Sequence, residues 1–152
     1  MGFCRVVLST ALLLASAIPA VAGDRLFEFE RLRGIPTAGV ALRNIAGGGL
    51  PWTLTRGEAR LDTDGAFKVE VEGLVLAAGP NAGTNPISQF VATLSCRNAD
   101  GTLNNITTAP VPATSTGDAR IETVVALPSV CLGPIVFVQG FPNLRWFAIS
   151  GF

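Results

Sequence analysis

The feature that most limits this chain is strict two-residue alternation. Phe67-Lys68-Val69-Glu70-Val71-Glu72 places apolar and charged side chains on opposite sides at every step, as does Glu58-Ala59-Arg60-Leu61-Asp62. In Leu26-Phe27-Glu28-Phe29-Glu30, Phe27 and Phe29 share one side and the two glutamates the other. A period of two belongs to a strand with one dry and one wet face; a helix would scatter these residues around its axis. Further strands are expected at 89–97, 119–126, 135–139 and 145–150, with shorter ones near 52–55, 74–76 and 103–107. Glycine and proline punctuate the gaps, as at Gly79-Pro80 and Gly133-Pro134. The reading is all-β, with about eight to ten short strands and no repeat of fixed period.

Two Asp-Gly turns set registers by parity. Facing residues of an antiparallel pair share a sheet face, so dry Leu61 must oppose a dry residue. A two-residue loop of Asp64-Gly65 would set Leu61 against Lys68. A three-residue loop, 63–65, sets Leu61 against Phe67 and Ala59 against Val69, with Asp62 opening a type I turn and Gly65 supplying the left-handed residue. Asn98-Ala99-Asp100-Gly101 has the same chemistry, which places Leu94 against Ile106 and Cys96 against Asn104. Phe90, Ala92, Leu94 and Cys96 then share a core face.

The N-terminus has a different character. Arg5 precedes an apolar run from Val6 to Ile18, followed by Pro19 and Ala20-Val21-Ala22. Charge, apolar run and small-x-small triplet form a secretory leader cut before Gly23. The run is shorter than the ~20 apolar residues that span a bilayer. The expected organisation is therefore a signal peptide at 1–22 and a single domain at 23–152, secreted or periplasmic, with no transmembrane anchor. Loss of the leader removes Arg5 and leaves 10 basic against 11 acidic residues, a net charge of −1. That balance offers no footprint for nucleic acid. It also removes Cys4, so that three cysteines become two, Cys96 and Cys131, in an oxidising compartment where they are expected to pair.

Many short strands, regular turns and one internal disulfide predict a two-sheet antiparallel sandwich, immunoglobulin-like in shape. A true immunoglobulin domain places a tryptophan between its cysteines, and none lies between Cys96 and Cys131.

Missing residue types restrict the chemistry. There is no histidine and no tyrosine, and Lys68 is the sole lysine. Ser-His-Asp and Cys-His sites and imidazole-based metal centres are excluded within the chain, and no cofactor is implied. Gly47-Gly48-Gly49 lacks the Lys-Ser/Thr of a phosphate loop and reads as a flexible loop. Carboxylates remain. A glycosidase needs two across a cleft, and Glu58, Glu70 and Glu72 could cluster on the wet face of the first hairpin. Arg60 and Lys68 beside them favour a solvated charge ladder. Asp62-Thr63-Asp64-Gly65 lacks the closing glutamate of a calcium loop. Trp52, after Pro51 and beside the glycine run, is the candidate ligand contact, as a stacking surface for a sugar; Trp146 is a weaker one. Asn105-Ile106-Thr107 matches a glycosylation sequon. The terminal Phe152 admits an outer-membrane barrel as an alternative, although the strands look short for one.

Leu50-Pro51-Trp52, Gly57-Glu58-Ala59, the run from Val69 to Val75, Gly83-Thr84-Asn85-Pro86 and the Cys96, Cys131 pair resemble a group of small exported bacterial β-domain proteins of unassigned function. The resemblance implies export and a β domain, and transfers no catalytic or binding residue. The expected function is that of an exported non-catalytic module, binding an extracellular glycan or envelope protein or serving as a structural part of the envelope. The alternatives are a carboxylate-based hydrolase of extracellular glycans and the small barrel.

Overall fold

A computed structural model of the protein describes residues 23–151. The expected leader at 1–22 and Phe152 lie outside the described residues. The strands in chain order are β1 (Arg25–Phe29), β2 (Leu32–Gly34), β3 (Ala41–Leu42), β4 (Ile45–Ala46), β5 (Trp52–Thr53), β6 (Arg56–Asp62) and β7 (Ala66–Glu72). They continue as β8 (Val75–Leu76), β9 (Gln89–Arg97), β10 (Leu103–Thr107), β11 (Val111–Pro112), β12 (Ala119–Val124), β13 (Leu132–Gly140) and β14 (Arg145–Ser150). One antiparallel sheet has the order β1-β6-β7-β12; a second has the order β10-β9-β13-β14-β2, with β11 also paired to β9. Two short ladders, β3-β4 and β5-β8, are also formed, and among the described residues no sheet closes into a barrel. Among the described residues no helix is long and apolar enough to cross a membrane.

The first hairpin follows its side-chain parity. Leu61 faces Phe67 and Ala59 faces Val69. The turn closes with the Gly65 N–H donating to the Asp62 carbonyl at 3.0 Å. Ala59, Leu61, Phe67, Val69 and Val71 are buried, whereas Arg60 and Glu72 are exposed and Glu58, Lys68 and Glu70 partly so. The second turn behaves alike: Leu94 faces Ile106 and Cys96 faces Asn104. Phe90, Ala92, Leu94 and Cys96 have no exposed surface, and they join Leu61, Phe67 and Val69 of the first sheet in one buried cluster. This arrangement of two packed sheets fits a β-sandwich. Cys96 in β9 is disulfide-bonded to Cys131, which immediately precedes β13, with Cα atoms 4.7 Å apart.

The second sheet departs from simple alternation. Val91, Thr93 and Ser95 of β9 point away from the shared core and are nevertheless buried. The cause is residues 36–48, which cross the outer face of this sheet. Arg43 donates to the Gly133 carbonyl at 2.8 Å and accepts at its own carbonyl from Asn105 Nδ2 at 3.1 Å, which fixes the segment over β13 and β10. At its other end Trp146 Nε1 donates to the Val40 carbonyl at 3.1 Å, and Arg145 to that of Gly47 at 3.1 Å. The β3-β4 hairpin reverses at Arg43 and Asn44, whose φ values of 53° and 63° suit a two-residue hairpin turn. Beneath the strap Thr93 Oγ1 lies 2.8 Å from Thr107 Oγ1 and also bonds Gln139, whereas the buried Ser95 hydroxyl has no hydrogen-bond partner among the described residues.

Gly47-Gly48-Gly49 is correspondingly not the flexible loop its composition suggests. Gly47 bridges to Trp146 of β14, and a Cβ there would lie 2.5 Å from the Val40 carbonyl oxygen. Gly47 lets two backbones approach closely and a Cβ on Gly48 would press on the Phe147 ring, whereas Gly49 is exposed with open space around it.

Candidate functional site

The carboxylates of the first hairpin stand on the open face of the first sheet, which is built by β6, β7 and β12. Each of three glutamates meets a cation. Lys68 Nζ lies 2.5 Å from Glu70 Oε2 and 3.8 Å from Glu58 Oε1. Arg56 lies 2.8 Å from Glu58 and 3.8 Å from Glu72, and Arg120 of β12 lies 3.1 Å from Glu70. The Lys68 hydrogen bond is the main reason that the Glu70 carboxyl is held below its ordinary value, with Arg120 acting in the same direction. A general acid at neutral pH requires the opposite shift. The group is a network of ion pairs, Lys68–Glu70 and Arg56–Glu58 along single strands and the others across neighbouring strands, each contributing at most about 1 kcal/mol.

The Asp64 carboxylate is occupied by its own turn. Its Oδ1 accepts the Ala66 N–H at 3.0 Å, the principal cause of its lowered pKa. Among the described residues no group of three or more His, Cys, Asp or Glu is placed to hold a metal ion. Asn105 is exposed, and its side-chain amide is engaged with the Arg43 carbonyl.

Trp52 is not an exposed platform. Only 5% of its surface is accessible, and its ring stacks on Phe147 of β14. Trp146 is 3% exposed and packs edge-on against Phe137. Trp146 is held under the strap by its bond to the Val40 carbonyl, and Trp52, itself in the β5-β8 ladder, is enclosed against Phe147 of β14. Trp52 still lines a shallow apolar groove of about 360 Å³, together with Leu50, Ile87, Phe141, Asn143 and Phe147. Phe141 and Leu50 remain about two-fifths exposed at its rim. Residues 141–144, the turn between β13 and β14, supply the accessible aromatic and amide that sequence reading missed. The available signal was an aromatic beside Pro142 in a turn, where a ring has no core to enter.

A second, larger cleft of about 720 Å³ opens where the chain leaves β1 in one sheet and enters β2 in the other. Arg31, Arg33, Arg56 and Glu30 line it, with Thr53 and Thr55. It holds a single carboxylate, short of the pair that glycoside hydrolysis by acid and base requires. The first hairpin's Glu58, Glu70 and Glu72 do not line it.

Comparisons of the chain with protein-family models, with curated proteins and with solved structures found no match.

Proposed function

We propose that this protein is an exported, non-catalytic module, an immunoglobulin-like β-sandwich released by cleavage before Gly23, that binds an extracellular glycan or an envelope component. The observation that carries the reading is the ion pairing of the first hairpin's glutamates. Glu58, Glu70 and Glu72 are each ion-paired on an open sheet face, and Glu70 is shifted toward ionisation. Acid–base hydrolysis needs an enclosed, protonated partner. A binding role needs only shape and a few polar groups. The groove over the Trp52 edge, with Phe141 and Asn143 at its rim, combines an aromatic surface with an amide. The Cys96–Cys131 bridge suits life outside the reducing cytosol.

A glycan array probed with the mature protein tests this. Trp52→Ala is a poor probe because the ring is core, so Phe141→Ala and Asn143→Ala are the informative variants. Binding that both variants weaken, with unchanged thermal stability, supports the groove. Binding that neither variant affects refutes this site. Glycan hydrolysis that disappears in Glu70→Gln refutes the non-catalytic reading and favours the hydrolase.

A further inference from the structure

We propose that, given the glycan-binding role above, the ligand is an acidic saccharide, and that its carboxylate or sulfate group is held in the cleft where the chain crosses from β1 to β2. The cleft, about 720 Å³, is of the size that holds a small organic ligand. One wall runs from Glu30 to Gly34 and the other from Pro51 to Gly57. Strand parity decides which side chains they present. Leu32 is 2% exposed, and its neighbours Arg31 and Arg33 are both exposed. On the facing wall Trp52 is buried and Leu54 partly so, while Thr53 and Thr55 are exposed. The walls are pinned where they meet. The Trp52 N–H donates to the Ile35 carbonyl at 2.8 Å, and a Cβ on Gly34 would lie 2.1 Å from the Trp52 carbonyl oxygen. A Cβ on Gly57 would stand 2.8 Å from that of Leu32. The cleft is thus shaped before any ligand enters, which lowers the cost of binding.

Its charge is unbalanced. Among the described residues Arg31 and Arg33 make no ion pair, and Glu30, the cleft's one carboxylate, is paired with neither. Arg56 is matched by Glu58 and Glu72, which stand outside the cleft. Two unpaired arginines therefore face one carboxylate, in a chain whose net charge is zero. Like charges two residues apart on one strand repel, and an oxyanion between them offsets that repulsion. The planar guanidinium fork donates two parallel hydrogen bonds to the oxygens of such a group.

The rest of the lining selects what carries the anion. None of the exposed large apolar side chains among the described residues, such as Leu50 and Phe141, lines the cleft, so an acyl chain finds no surface there. Its one aromatic ring, Trp52, is buried against Phe147 and leaves no face on which a nucleobase can stack. The hydroxyls of Thr53 and Thr55 both donate and accept, as the hydroxyls of a sugar require.

Titration calorimetry and amide NMR of the mature protein test the proposal with four probes: trigalacturonate, its neutral methyl ester, a sulfated trisaccharide and inorganic sulfate. At least one acidic saccharide should bind, more weakly as salt is added, and should shift the amides of residues 31–34 and 53–57. The methyl ester and the free sulfate ion should bind at least about tenfold more weakly. Arg31→Gln and Arg33→Gln, both at exposed positions, should each weaken the acidic saccharide about tenfold and leave the thermal midpoint unchanged. Failure of both acidic saccharides to bind overturns the proposal, as does equal binding of the methyl ester; either result leaves a neutral glycan in the groove beside Phe141 as a separate question for the array. Binding indifferent to both arginine variants and lost in Phe141→Ala overturns the cleft in favour of that groove. Inorganic sulfate binding as tightly as the saccharides overturns the saccharide and leaves a site for a free anion.

Discussion

Trp52 and Phe147 stack with ring centroids 4.0 Å apart and planes 17° from parallel. Phe147 in turn meets Phe90 edge-on at 6.2 Å, so the stack ties β5 and β14 to the central strand β9. Aromatic pairs in these geometries add to the stabilisation from buried area. Trp52→Ala should destabilise the protein by about 3–5 kcal/mol. Urea denaturation measures this, and a midpoint close to wild type would show that the ring is not a core element.

Gly65 and Gly101 both adopt a φ of 86° at the ends of comparable three-residue loops. Their surroundings differ. A Cβ on Gly65 would sit 2.4 Å from the Val125 carbonyl oxygen, while one on Gly101 would meet nothing within 4 Å. Gly101→Ala should therefore cost only the backbone strain of about 1 kcal/mol. Gly65→Ala should cost clearly more, because it also disturbs the last hydrogen bond between the turn and the end of β12. Equal losses in parallel thermal melts would contradict this.

Reduction of the Cys96–Cys131 bridge, which closes a separation of 35 residues, should lower stability by roughly 3–4 kcal/mol on the chain-entropy model. Denaturation of the oxidised protein and of a Cys96→Ala/Cys131→Ala double variant gives the difference. Alkylation of the unreduced, denatured protein should label neither cysteine.

Asp118 links two loops. Its carboxylate accepts the Gly73 N–H at 2.8 Å and the Thr116 hydroxyl at 2.7 Å. The hydroxyl is the larger cause of its lowered pKa, and the Gly73 amide the next. A carboxyl whose folded pKa is depressed stabilises the fold above its unfolded value, and that contribution disappears as the pH falls through the folded one. Asp118→Asn should thus be less stable than wild type by about 1 kcal/mol at neutral pH. The gap should close as the pH drops below the ordinary 3.8. A gap independent of pH would show that charge plays no part.

Local chemistry determined a good deal by itself. Alternation around Lys68 and Glu70 can be satisfied by one strand pairing only, and glycine at 65 and 101 can take the backbone angle that each loop demands, so both hairpin registers were legible. Only two cysteines, Cys96 and Cys131, lie beyond the expected leader, which left one bridge to expect, and the structure forms it. Strands β7, β9, β10 and β14 kept their expected bounds because their apolar runs end at turn residues. Tertiary structure decided the rest. Val91, Thr93 and Ser95 read as the wet side of a strand and are buried, because residues 36–48 fold across them from elsewhere in the chain. Trp52 looked available beside a glycine run and became core, because those glycines allow the backbone to close onto β14. The apolar groove was equally hidden: Leu50, Trp52 and Phe141 are far apart in sequence and meet only after the sheets pack. A strand's near face is written in its own residues, whereas what covers its far face depends on a segment whose path is set by contacts distant along the chain.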